Sequence, residues 1–74
     1  MRYFVNVRSN DAVLVDKEGE EFSDIFEACR YAMQVAAELS QKYPRRLGQK
    51  MADMPLALEV LDHSGALIFR TPVY

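Results

Sequence analysis

The sequence predicts a two-layer α+β domain of order β-β-α-β-β, with one helix packed on a four-stranded, mainly antiparallel sheet. Three observations predict it. A stretch from Asp24 to about Tyr43 carries apolar residues at helical spacing, the stretches on either side alternate with a period of two, and each alternating pair is broken by turn-forming residues. Paired hairpins flanking one amphipathic helix stack the helix on one sheet face.

The first strand is read over Arg2–Arg8, where Tyr3, Val5 and Val7 lie on one side and Arg2, Phe4, Asn6 and Arg8 on the other. Ser9, Asn10 and Asp11 all bond readily to their own backbone, so they turn the chain into a short second strand, Ala12–Val15. Asp16 and Gly19 then occupy the first and last positions of a type I turn, and Glu20, Glu21 and Phe22 lead into the helix, with Phe22 over one edge of the core. At 3.6 residues per turn, Ile25, Ala28, Cys29, Ala32, Val35, Ala36, Leu39 and Tyr43 fall on one arc, opposite Glu27, Arg30, Gln34, Glu38 and Gln41. Asp24 with Glu27 has capping-box spacing, and Pro44 ends the helix. Residues 44–54 have no clean period and read as an exposed connection, with Met51 and Met54 tucked beneath it. Leu56–Asp62 and Ala66–Thr71 form the second hairpin across Asp62-His-Ser-Gly65, so the sheet face beneath the helix carries Tyr3, Val5, Val7, Leu58, Val60, Leu67 and Phe69.

At 74 residues the chain is expected to form a single domain over 1–74. A domain of this size buries only about 60% of the surface its unfolded chain exposes. One cysteine rules out an internal disulfide, and with one histidine it leaves no cluster for structural zinc, so self-association is the remaining common aid to a thin core. A net charge of −2 argues for neither a nucleic-acid nor a membrane partner, and no apolar run is long enough to span a bilayer. The expected location is the cytoplasm. Acid gathers before the helix and base after it, as the helix macrodipole favours.

The set Arg2-Tyr3-Phe4-x-x-Val7-Arg8, then Asp16-x-Glu18-Gly19-x-Glu21-Phe22-x-Asp24, the Ala-rich helix from Ala28, and Leu58-Glu59-Val60-x-Asp62-x-x-Gly65 resembles a family of short bacterial proteins known only as a domain of unknown function. The resemblance covers nearly the whole chain. It implies a small bacterial protein and supplies no catalytic or cofactor-binding residues. The chain departs from the family pattern in Phe26, where a polar residue is common, and in its basic connection after the helix. A second likeness, in topology alone, is to antitoxins with a truncated double-stranded-RNA-binding-like fold.

No constellation for catalysis converges, so the chain is expected not to be an enzyme and to hold no cofactor or metal. Cys29 lies on the apolar arc as a small core residue, and His63 sits in a tight turn. The acidic run Asp16–Glu21 lacks the ligand spacing of a calcium loop. Lys42, Tyr43, Arg45, Arg46 and Lys50 form the one stretch suited to phosphates and base stacking, which makes nucleic-acid binding or an antitoxin-like role the alternative function. The favoured function is a structural or protein-interaction module, with a homodimer or a small protein as partner. Its candidate anchors are Phe4 and Ile68 on the sheet face away from the helix, placed first, and Phe26 and Met33 on a helix flank.

Overall fold

The computed structural model describes residues 1–42 and 55–73. In chain order these form β1 (Arg2–Ser9), β2 (Val13–Leu14), β3 (Glu20–Glu21), α1 (Ile25–Lys42), β4 (Pro55–Leu61) and β5 (Leu67–Pro72). The sheet is antiparallel throughout, of order β2-β1-β4-β5, with β3 also paired to β1. The α+β class and the helix-on-sheet arrangement are those the periodicities predict. The sheet gains a fifth strand, because Glu20 and Glu21 pair with Tyr3 and Arg2 rather than merely leading into the helix.

The extra strand follows from an interruption at Asp16. β2 leaves β1 after Leu14 and β3 rejoins it at Glu20, so between them β1 lacks a strand partner on this edge, though β4 pairs with it on the other. The Asp16 side chain fills that gap: its carboxylate accepts from Val5 N–H (3.1 Å) and Gly19 N–H (3.0 Å), while Asp16 N–H donates to Asn6 Oδ1 (2.9 Å). Gly19 closes the turn at φ 70°, where a Cβ would lie 2.8 Å from the Phe4 ring and 2.9 Å from the Tyr3 carbonyl. Only glycine meets both demands without strain.

Asp24 caps α1 through Glu27 N–H to Oδ1 (2.8 Å), but the Glu27 carboxylate turns to the Ser23 hydroxyl (2.6 Å) instead of returning to the cap residue. Only the Asp24 half of the expected capping box is therefore formed, and Glu27 bonds a neighbouring side chain in place of the cap backbone. The helix buries Ala28, Ala32 and Ala36, one per turn, and these small side chains let its axis approach β4 and β5 closely. The buried core joins them to Tyr3, Phe22, Leu58, Val60 and Val73, with Val5, Val7, Val35, Leu39 and Phe69 packed around it.

Leu67 departs from the expected inner face. The register steps from Val60↔Phe69 to Leu61↔Leu67, which leaves Ile68 as the extra residue of a bulge and Leu67 55% exposed. Ile25, expected on the buried arc, is exposed at the first turn of the helix. Phe22 is buried as expected, and it sits between Tyr3 (ring centroids 6.1 Å apart) and Tyr31 (5.4 Å), sealing the end of the core where α1 begins.

Candidate protein-interaction surface

The two pairs of apolar candidates have different surroundings. On the sheet face away from α1, Phe4 is half-buried, with its ring against Gly19 and Leu61 as its cross-strand partner. Ile68, at the bulge, is half-buried and packs against the core. The centre of that face is polar instead: Asn6, Glu59 and Arg70 form one cross-strand row. Arg8 Nε lies 3.1 Å from Glu59 Oε2, and Glu59 is only 9% exposed. A satisfied ion pair among Asn6 and two arginines leaves little apolar centre for a partner. The burial of Glu59 follows from the register, which sets it between Asn6 and Arg70.

The helix flank is different. Phe26 is 70% exposed and Met33, two turns later on the same side, is 48% exposed. At 100° per residue Phe26, Cys29, Met33, Ala37 and Ser40 share this flank, which faces the β5 side of the sheet. Beside Met33 the surface dips into a groove of about 260 Å³ lined by Met33, Ala36, Ala37, Ser40, Thr71 and Pro72. The other large aromatic rings of the described residues are at least half-buried, or, like Tyr31 (39% exposed), in contact with a buried ring. Phe26 has neither form of cover.

Backbone pairing with a partner is discouraged at both sheet edges. β5 ends in Pro72, which has no N–H, and carries the Ile68 bulge; β2 and β3 are two residues each, separated by the Asp16 turn. These are the devices by which edge strands resist adding another strand. A second apolar groove, about 390 Å³, also lies toward the C-terminal end of the helix, among Val7, Val13, Leu14, Leu39 and Pro55.

Arg2-Tyr3-Phe4, the Asp16–Gly19 turn, the alanine-lined helix and the Asp62–Gly65 turn thus recur as working parts of one fold, and residues 2–74 match the model of a family described as a domain of unknown function, DUF6894. The chain belongs to that family. No curated protein and no solved structure matches it. For this DUF6894 domain, the candidate surface rests on its own geometry.

Of the nucleic-acid set, Lys42 is exposed at the end of α1, whereas Tyr43, Arg45, Arg46 and Lys50 lie outside the described residues. The outer-face arginines of β1 are engaged within the chain: Arg8 with Glu59, and Arg2 with Glu21 (3.3 Å) and the Glu18 carbonyl (2.7 Å). Cys29 is half-buried, and burial raises its thiol pKa, which disfavours the reactive thiolate. His63 is exposed in the Asp62–Gly65 turn. Among the described residues, no group of three or more His, Cys, Asp or Glu is arranged to hold a metal, and no helix is long and apolar enough to cross a membrane.

Proposed function

We propose that this DUF6894 domain is a non-enzymatic protein-interaction module that self-associates through the Phe26–Met33 flank of α1. The supporting observation is the 70% exposure of Phe26 beside Met33 and a groove, in a chain whose sheet-face candidates, Phe4 and Ile68, are half-buried. An aromatic ring in water gains nothing from folding, whereas the same ring buried against a partner removes on the order of 150–250 Å² from water. The flank replaces the sheet as the first choice because the sheet face centres on the Glu59–Arg8 pair.

A dilution series followed by amide NMR tests this. The expected result is concentration-dependent shifts at Phe26, Arg30, Met33 and Ala37, with Phe4 and Glu59 unmoved. Shifts centred on β1 and β4 instead, or none at any concentration, would refute the assignment to this flank.

A further inference from the structure

Taking self-association through this flank as given, the structure also indicates how two copies would meet. Phe26 projects from the first turn of α1, and the Met33–Pro72 groove opens on the same side of the helix near its other end. Ala37, on the groove wall, is about 16 Å from Phe26 along the axis at 1.5 Å per residue. A projecting ring and a recess on one face, separated along one axis, are mutually satisfied by a two-fold axis crossing midway between them. Here that midpoint falls near Tyr31 and Ala32. We infer that the partner is a second copy of this chain, bound with the two helices antiparallel and with Phe26 of each seated in the groove of the other.

Charge supports the antiparallel sense. The first turn of α1 is acidic, with Glu27 following the cap Asp24, and the last turn carries Lys42. Antiparallel apposition sets each acidic end beside the partner's basic end and opposes the two macrodipoles, whereas parallel apposition sets like ends together. Arg30, on the solvent side of the flank, falls at the rim opposite the partner's Met33, where its stem covers apolar surface and its guanidinium stays in water. The lip of the groove is built from small side chains, Ala36, Ala37 and Ser40, which leave room for a ring. The two-fold doubles each contact, so one ring and one groove per chain supply two buried anchors. An interface resting on two anchors belongs to the small, transient class rather than the obligate one.

Reciprocity has a distinctive test. Phe26→Ala removes the ring and keeps the groove, while Ala37→Arg fills the groove and keeps the ring. Each variant is measured alone by sedimentation velocity, and the two are then mixed with one fluorescently labelled. Each alone should associate at least tenfold more weakly than the parent chain. The mixture, which restores one seated ring per dimer, should associate more tightly than either variant and less tightly than the parent. Both positions are exposed, and thermal melts of the variants check that they fold; if Ala37→Arg melts early, Ser40→Arg on the same groove wall replaces it. If the parent chain associates but the groove-filling variant does so equally tightly, or if the mixture is no tighter than the variants alone, the reciprocal seat is wrong and self-association stands. A parent chain that is monomeric at every concentration removes self-association itself.

Discussion

Replacing Asp16 with alanine should destabilise the fold by about 2 kcal/mol without altering the helix flank. The side chain stands where a strand residue would otherwise pair with β1, and its carboxylate takes two N–H donors, Val5 at 3.1 Å and Gly19 at 3.0 Å. Val5 is half-buried in the central strand and has no replacement acceptor between β2 and β3. Leaving such a donor unpaired costs about 1–3 kcal/mol, and the Gly19 donor, lying in a turn that can shift, adds about 0.5 kcal/mol. For a domain of this size about 2 kcal/mol corresponds to a fall of roughly 8–16 °C in the melting midpoint. Asp16→Asn keeps one acceptor oxygen and should lose about half as much. Urea denaturation followed by circular dichroism measures the stability, and hydrogen exchange at the Val5 amide reports the bond directly. A variant within about 0.5 kcal/mol of the parent, the range of an ordinary surface change, or an unchanged Val5 exchange rate, would refute this role for Asp16.

Three further outcomes are expected. Gly19→Ala should cost more than Gly65→Ala in the same melts: both glycines have positive φ (70° and 87°), worth about 1–2 kcal/mol each to an L residue, but only at Gly19 does the new Cβ also meet the Phe4 ring and the Tyr3 carbonyl. Equal losses would mean that Gly19 is kept for its backbone angle alone. Ala32→Leu should cost about 1–3 kcal/mol by overpacking a fully buried position between helix and sheet; unchanged stability would show that the helix lifts from the sheet freely. The Asp62 carboxyl is held below its ordinary pKa by the Ser64 hydroxyl first and then by the Ala66 and Ser64 N–H groups. A pKa lowered on folding stabilises above the unfolded value and loses that contribution as pH falls through the folded value. Asp62→Ala should therefore melt below the parent at pH 7, with the gap narrowing as pH drops below the ordinary aspartate value of about 3.9; a gap constant with pH would exclude the linkage.

The alternation of Tyr3, Val5 and Val7 and of Leu58 and Val60 was enough to define the inner face, because a period of two admits one assignment once a helix with Ala28, Ala32 and Ala36 must cover it. What was not legible arises from pairings between distant residues. The β3 strand exists because Asp16 stands in for backbone, and no local pattern in Glu20–Glu21 announces that. The bulge at Ile68 slips the register by one residue, so Leu67 and Ile68 depart from the positions that alternation assigns them. At the candidate surface, Phe26 and Met33 could be placed on a helix flank from spacing alone. Their advantage over Phe4 and Ile68 could not be read, because it depends on Gly19 lying against Phe4 and on Glu59 meeting Arg8, fifty-one positions away.

Self-association through the α1 flank is tested most directly by sedimentation velocity on the purified chain from micromolar to millimolar concentration, beside Phe26→Ala at the same concentrations. The parent should show a sedimentation coefficient that rises with concentration toward that of a dimer. Phe26→Ala, with a melting midpoint equal to the parent's at concentrations where the parent is monomeric because the ring is exposed there, should remain monomeric over most of the range. A parent chain that sediments as a monomer throughout, or a folded Phe26→Ala variant that dimerises as tightly as the parent, would contradict the proposed surface.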